Sequence, residues 1–247
     1  MNNDDSGSFP HRRRYPRIVI PNEKSDLHTI IGVNAQIPSG EKVPVLDLSY
    51  AGAAILKTAS ENEKVGEPLP LQFYFEGGLL KPVSAEIVRT SDRAVGLRFG
   101  EMSPETRLSF DKIMNDKMLG LNTHRVRTDL LNSRDRRHNL THWYHGPKDT
   151  NIFIWIENEK VVKKFIIEID YQVIDYDRGE MTFNQTVPET EFFREGYSGY
   201  GEVRTSGNVS FSQTELIKRA VNVLTHVLKR GVVIDNVIDV LLKRMKN

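Results

Sequence analysis

The fold of the N-terminal half is decided by two short stretches, Leu69-Pro70-Leu71-Gln72-Phe73-Tyr74-Phe75 and Ala94-Val95-Gly96-Leu97-Arg98-Phe99. In both stretches apolar side chains recur at every second position, which is the period of a β-strand with one buried face. Short segments of this kind, separated by residues typical of turns, continue from Ile18 to Gly100. The pattern predicts a mainly β unit, either a small antiparallel barrel or a sandwich.

A helix is predicted directly after these strands. The tripeptide Ser103-Pro104-Glu105 combines a hydroxyl that can act as N-cap, a proline at the first helical position and an acid in the first turn. Within the strand region, Glu76-Gly77-Gly78 supplies residues that tolerate a positive φ. This tripeptide predicts a hairpin between strands at 69–75 and 83–88.

The C-terminal half has a different pattern. Alternating apolar residues at 152–156 and 165–173 predict strands of an antiparallel sheet. An apolar stripe from Leu216 to Leu228 and a shorter one from Asp235 predict two helices, so this half is predicted to be α+β. The predicted domains are a flexible arm at 1–11, a barrel domain at 12–119, a basic connector at 120–150 and an α+β domain at 151–247.

Composition excludes several classes of protein. The 247 residues include 34 Lys and Arg against 33 Asp and Glu, and this near balance gives no support to an extended nucleic-acid interface. The absence of cysteine excludes disulfides, thiolate metal sites and cysteine nucleophiles. No run of eighteen apolar residues occurs, and residues 1–10 are polar where a secretory signal would be apolar, so a cytoplasmic protein is predicted.

Two motifs of the first half carry recognisable chemistry. Arg12, Arg13 and Arg17 place several planar guanidinium groups at the junction of the arm and the first strand, and such groups bind phosphates and stack on aromatic rings. The second motif, Asp47-Leu48-Ser49-Tyr50-Ala51-Gly52, follows a strand. Its carboxylate can accept two adjacent hydrogen bonds from the N1 and N2 edge of guanine, and its glycine allows a close approach to the backbone.

The pair of motifs resembles the signature of the PilZ domain family, the bacterial receptors for cyclic di-GMP (c-di-GMP). Arg13-x-x-x-Arg17 precedes Asp47-x-Ser49-x-x-Gly52 in the family's order and strand context, and Ala94–Phe99 is similar to the closing strand. The resemblance covers about residues 12–118. It implies a six-stranded antiparallel barrel with a C-terminal helix, here followed by an α+β domain of no recognised family.

The resemblance also implies a binding site on the outside of the barrel. There Arg13 and Arg17 contact the phosphates and guanine faces of c-di-GMP, usually bound as a stacked pair, and Arg12 helps to set the number of ligands. Asp47 and Ser49 bind a guanine, and Gly52 shapes the turn. The implied ligand-binding residues are Arg12, Arg13, Arg17, Asp47, Ser49 and Gly52, with Arg14 and Arg98 carried at lower weight.

The predicted function is a non-enzymatic c-di-GMP receptor without a cofactor, which engages a protein partner through residues 151–247. One alternative is an adaptor with the same fold that binds no nucleotide. Another is a nucleic-acid-binding regulator that uses the arm and residues 125–137 as phosphate contacts. His138, His142 and His145 would share one face if they were helical and could then hold zinc, but no metal site is predicted because Gly146-Pro147 ends the stretch.

Overall fold

The structure is a computed structural model of the chain, which consists of two compact units, Met1–Leu108 and Ser109–Asn247. The residues that the structure describes are 15–21, 26–58, 64–75, 78–79, 82–127, 140–157, 161–186, 205–206, 212–228 and 230–246. The predicted arm at 1–11 lies outside these ranges. The bounds predicted for the domains stay a prediction, and each unit is described by itself below.

The first unit is built on one antiparallel sheet of eight strands with a short helix, α1 (Asp26–Ile31). The strands are β1 (Ile18–Val19), β2 (Val33–Gln36), β3 (Lys42–Ser49), β4 (Gly52–Leu56), β5 (Gln72–Phe75), β6 (Gly78–Leu79), β7 (Ala85–Thr90) and β8 (Ala94–Phe99). Their order is β6-β5-β2-β3-β4-β8-β7, and β1 pairs with β3 outside this path. The resemblance implies six strands, whereas this sheet has eight, of which β1 and β6 have two residues each.

The predicted alternation is present at 69–73 and only in part in β8, where Gly96 is buried together with its two neighbours. In β8, Val95 and Leu97 are fully buried while Arg98 is exposed. Phe73 of β5 is fully buried, and the ring of Phe99 packs edge-on against it with centroids 5.7 Å apart. The apolar face of the sheet therefore forms the core of the first unit, and its polar residues point away from that core.

The predicted hairpin is present as backbone pairing. The segment 66–71, which leads directly into β5, hydrogen bonds to the 83–87 region: Leu69 N–H donates to Ala85 O (2.7 Å) and Val83 N–H donates to Leu71 O (2.7 Å). Nearer the tip of the hairpin, β5 pairs with β6. One continuous segment, 66–75, thus pairs with β7 at its start and with β2 at its end.

The predicted helix start is also correct. Helix α2 spans Pro104–Leu121, and the Thr106 N–H donates to the Ser103 Oγ (3.2 Å) in the expected N-cap bond. The boundary between the two compact units falls within this helix, after Leu108.

The second unit contains a seven-stranded antiparallel sheet and two helices. Its strands are β9 (His124–Val126), β10 (His142–His145), β11 (Asn151–Glu157), β12 (Val161–Ile169), β13 (Gln172–Asp177), β14 (Glu180–Thr186) and β15 (Thr205–Ser206), and the helices are α3 (Gln213–His226) and α4 (Val232–Lys246). Each strand is hydrogen bonded to the next along the chain, from β9 to β15. The predicted α+β pattern with an antiparallel sheet and two C-terminal helices is confirmed.

Both helices bury most of the apolar stripes found in the sequence, but Leu228, the last predicted member, lies beyond the end of α3 and is exposed. Leu216, Ala220 and Leu224 of α3 are buried, and the Ser212 Oγ caps this helix by accepting from the Glu215 N–H (3.4 Å). α4 begins at Val232, earlier than the predicted Asp235, and contacts β12. Among the helices in the described ranges, none combines the length and the apolar character that crossing a membrane would require.

The segment predicted as a basic connector, 120–150, contributes two strands to this sheet. β9 and β10 pair antiparallel, with Trp143 opposite Val126 and Tyr144 opposite Arg125. His142 and His145 therefore lie on a strand, where odd spacing places them on opposite faces, and the shared helical face considered for zinc is wrong for these two residues. His138 lies outside the described residues. Among the described residues, no group of side chains suited to a metal ion is found.

A buried lysine ties α2 to α3 within the second unit. Lys117 is 1% exposed, and its Nζ donates to the Asn222 Oδ1 (3.0 Å). Burial lowers the pKa of Lys117 to about 8, although the neighbouring Asp116 opposes this change. Beside it, Arg219 of α3 donates to Asp116 and to Asp170, at 3.3 and 3.0 Å. The two helices are thus joined by polar contacts within the second unit.

We expect this lysine to make stability depend on pH. Because the pKa of Lys117 is about 8 in the folded protein and near 10.5 when unfolded, the unfolded chain binds more protons between these values. The free energy of unfolding should therefore rise from pH 8 to pH 10.5, by on the order of 3 kcal/mol. Chemical denaturation across this range should show the rise in the wild type and not in Lys117→Met. Parallel pH profiles of the two proteins would contradict this assignment.

Candidate functional site

An irregularity in β3 sets the direction of Asp47. Val43, Val45 and Leu48 are buried, so the inward-facing positions change phase between residues 45 and 48. At the same place the pairing of β3 with β4 shifts register, from Val45 opposite Ile55 to Asp47 opposite Ala54. An extra residue in one strand re-aims the side chains that follow it. Without this register shift, the side chain of Asp47 would lie on the buried face of β3. Because of the shift, the carboxylate lies at the partly exposed surface.

The pairing of β1 with β3 brings Arg17 to this carboxylate. Val19 lies opposite Asp47 in the register, and Arg17 precedes β1 directly. Its Nη1 donates to the Asp47 Oδ2 at 3.1 Å, with side-chain exposures of 29% for Arg17 and 19% for Asp47. The other carboxylate oxygen, Oδ1, is buried and has no hydrogen-bond partner in the described structure. Arg17 and Asp47, predicted as site residues from distant motifs, are thus in direct contact.

Ser49 braces the turn that follows. Its hydroxyl donates to the Gly52 carbonyl oxygen (3.1 Å) and accepts from the Ala51 N–H (3.4 Å). The side chain is 6% exposed, so these bonds lie inside the turn between β3 and β4. The turn is also held to β8, because Phe99 N–H donates to the Ala51 carbonyl oxygen (2.9 Å). Ser49 therefore fixes the backbone between Asp47 and Gly52.

The neighbouring strand β8 leaves room only for glycine at position 52. A Cβ built on Gly52 would lie 2.0 Å from the backbone oxygen of Leu97 in β8, a separation that no side chain can adopt. The φ of Gly52 lies outside the left-handed region, so the turn does not depend on glycine's conformational freedom. The close approach expected at this position is made by β8, whose Arg98 pairs with Gly52 in the sheet.

The remaining predicted residues lie elsewhere. Arg98 is exposed on β8, and its Nη2 donates to the Glu86 Oε2 at 2.8 Å. Arg12, Arg13 and Arg14 lie outside the described residues. Of the predicted ligand-binding set, the structure therefore brings Arg17, Asp47, Ser49 and Gly52 together on the β1 junction and the β3–β4 turn.

Three residues beside this turn were not found by sequence reasoning. The ring of Tyr50 lies 6.0 Å from the ring of Tyr15, centroid to centroid. The guanidinium carbon of Arg107, in the first turn of α2, lies 4.2 Å from the centre of the Tyr50 ring. Tyr15 and Tyr50 stand within the quoted motifs, but Arg107 is far away in sequence and no spacing links it to them. We call these three residues the tyrosine–arginine cluster.

The site combines groups suited to a planar, anionic ligand. A carboxylate oxygen without a partner can accept a hydrogen bond from a ligand donor, and burial makes that bond stronger than it would be in water. Arg17 beside it offers a planar guanidinium that can bind phosphate or stack on a ring.

Comparison with known proteins finds one matching family model. Residues 11–115 match the model for the PilZ domain. No curated protein matches the chain. Among solved structures, similar chains include the PilZ domain of YcgR from Escherichia coli with c-di-GMP, at 19% identity over 42% of this chain and 90% of that chain, with a TM-score of 0.33.

Two further structures are similar at the same level. The PilZ domain of CeSA from a cellulose-synthesizing bacterium is 18% identical over 34% of this chain and 90% of that chain, with a TM-score of 0.29. An uncharacterized protein of Legionella is 16% identical over 42% of this chain and 98% of that chain, with a TM-score of 0.31. All three matches cover less than half of this chain.

Proposed function

We propose that this chain is a non-enzymatic receptor that binds c-di-GMP at the Arg17–Asp47 pair. The proposal has two supports. The model of the PilZ family, a family of c-di-GMP receptors, matches residues 11–115. Arg17 and Asp47, which belong to two separate motifs of that family, are in direct contact. The single observation that carries it is the Asp47 Oδ1, a buried acceptor without a partner beside a guanidinium. The ligand supplies the donors that this oxygen lacks.

Guanine is the base that fits a carboxylate at this position. Its N1–H and N2–H₂ groups are adjacent donors, whereas the corresponding edge of adenine presents an acceptor at N1. In the described structure Arg17 donates a hydrogen bond to the Oδ2 of Asp47, and the Oδ1 accepts none. Because the Oδ1 is buried, a guanine binds it when the groups that cover it move, and it gains the Oδ2 when Arg17 turns toward a phosphate.

The other motif residues complete the proposed site. Arg12 and Arg13, together with Arg17, bind the phosphates and guanine faces of c-di-GMP, which is bound as a stacked pair. Ser49 and Gly52 hold the turn so that Asp47 keeps its direction. Arg14 and Arg98 have lower weight in this proposal. Arg98 is exposed and forms an ion pair with Glu86.

We also infer that the first sheet closes into the six-stranded barrel of the family. The bonds from the segment 66–71 to β7 support closure, because the same segment continues into β5, which pairs with β2.

We propose further that ligand binding is coupled to a protein partner through residues 151–247. Two alternatives are addressed by the test that follows. One is an adaptor that binds no nucleotide, and the other is a nucleic-acid-binding regulator.

Discrimination between guanine and adenine dinucleotides tests the proposal. The wild type should bind c-di-GMP at least tenfold more tightly than cyclic di-AMP, because only guanine offers two donors to Asp47; about tenfold corresponds to one charged hydrogen bond. Asp47→Asn keeps the shape but loses the charge and one acceptor, so most of this preference should disappear. Calorimetric titration with both dinucleotides measures it.

The alternatives give different outcomes in the same titrations. An adaptor binds neither dinucleotide, and a nucleic-acid-binding regulator binds duplex DNA in a salt-sensitive gel shift while showing no preference for guanine. Either result contradicts the proposed receptor. A preference for c-di-GMP that Asp47→Asn leaves intact would show that the site lies elsewhere.

A further inference from the structure

The tyrosine–arginine cluster adjoins the proposed site, but none of its three members is among the predicted ligand-binding residues. Tyr50 stands in the turn between Ser49 and Gly52, three residues after Asp47. Tyr15, whose ring packs against Tyr50 at 6.0 Å, stands two residues before Arg17. The Tyr50 ring thus contacts the segment that carries Arg17 and also makes a cation–π contact of 4.2 Å with the guanidinium of Arg107.

Hydrogen bonds hold the backbone at both Tyr50 and Arg107. Tyr50 is presented by a turn that Ser49 braces and that Phe99 ties to β8. Arg107 lies in the first turn of α2, where its N–H donates to the Ser103 carbonyl oxygen (2.9 Å), next to the Ser103 cap. The position of this guanidinium beside the turn is therefore set by the fold of the first unit.

We propose that Arg107 is a further phosphate-binding residue of the c-di-GMP site and that Tyr50 positions its guanidinium. The juxtaposition of Arg107 with the Asp47–Gly52 turn carries this inference, which rests on the proposed function. A guanidinium held over a ring by a cation–π contact keeps N–H groups that can donate to an anion beside the ring. Each c-di-GMP carries two negative charges, and the charge of Arg17 is partly offset by Asp47. A second guanidinium beside the turn compensates for that offset.

Substitution of Arg107 in the full-length chain, with c-di-GMP as the probe, tests the proposal. Arg107→Gln should weaken binding about tenfold and lower the slope of log affinity against log salt concentration by roughly one, as expected when one phosphate contact is lost. Arg107→Lys keeps the charge, so it should keep most of the salt slope. The matched control is Arg93→Gln, an exposed arginine at the opposite end of β8, which should stay within about twofold of the wild type.

The outcomes separate this inference from the proposed function. If the wild type binds no c-di-GMP, the proposed function itself fails. If the wild type binds and Arg107→Gln behaves like Arg93→Gln, only the assignment of Arg107 fails. A loss of affinity with an unchanged salt slope, which Arg107→Lys does not restore, would make Arg107 a structural support and would also overturn the assignment.

The role of Tyr50 is tested by a double-mutant cycle with the same probe. Because Tyr50 is proposed to act by positioning Arg107, Tyr50→Ala should weaken binding in the wild type and have little further effect in Arg107→Gln. Additive effects of the two substitutions would overturn the positioning role. Thermal unfolding of each variant shows that the comparison is made between folded proteins.

Discussion

Arg17→Ala is expected to weaken the binding of c-di-GMP by about a hundredfold, the largest effect on binding that we predict for a described residue. The guanidinium can make paired, charge-assisted hydrogen bonds to phosphate, and losing two such bonds costs about 3 kcal/mol, which is roughly this factor. Arg17 also holds the Oδ2 of Asp47 at 3.1 Å. Calorimetric titration at constant salt measures the change.

Arg17→Lys is the matched control for this prediction. It keeps the positive charge but loses the planar, bidentate group, so its affinity should fall between those of the wild type and Arg17→Ala. Both variants should remain folded, because a partly exposed ion pair contributes only about 1 kcal/mol to stability. An affinity of Arg17→Ala within about threefold of the wild type would show that the arginine does not contact the ligand.

Gly52→Ala is expected to reduce the free energy of unfolding by about 2–4 kcal/mol, the largest effect on stability that we predict. The new Cβ would lie 2.0 Å from the Leu97 carbonyl oxygen, so β4 must move away from β8 and hydrogen bonds between them are lost. Because the displaced turn carries Asp47, binding of c-di-GMP should weaken as well. Urea denaturation and titration of the same sample measure both effects.

Gly100→Ala provides the control for this effect. It lies just beyond β8, and an added Cβ would meet Ser84 at 3.5 Å, which is ordinary van der Waals contact. Its change in stability should stay within about 1 kcal/mol. Equal destabilisation by the two substitutions would contradict the steric explanation, since both remove a glycine but only one creates a clash.

Much of the first unit could be predicted from the sequence because local chemistry and tertiary structure agree there. The apolar alternation at 94–99 corresponds to a strand with Val95 and Leu97 inside, and the Ser103-Pro104 signal corresponds to the start of α2. Arg17 and Asp47 could be selected because the spacing of their motifs resembles a known family. Their contact follows from the pairing of β1 with β3, which the sequence does not reveal.

The features that were missed depend on tertiary contacts. Arg107 reaches Tyr50 only because α2 begins beside the β3–β4 turn, and no local pattern records that proximity. β9 is exposed at two of its three positions, so its basic sequence shows no apolar alternation, and pairing with β10 makes it a strand. The close approach predicted at Gly52 is made by a neighbouring strand that the sequence does not identify, because the Leu97 carbonyl of β8 leaves no room for a side chain.

Calorimetric titration of the full-length wild type with c-di-GMP, at low and at raised salt, tests the central claim most directly. The account predicts saturable binding at low salt, a fall in affinity as salt increases because phosphates are bound by arginines, and two ligands per chain if they bind as a stacked pair. The absence of binding at low salt would contradict it. The region that matches the PilZ family model, residues 11–115, would then serve a purpose other than recognition of this nucleotide.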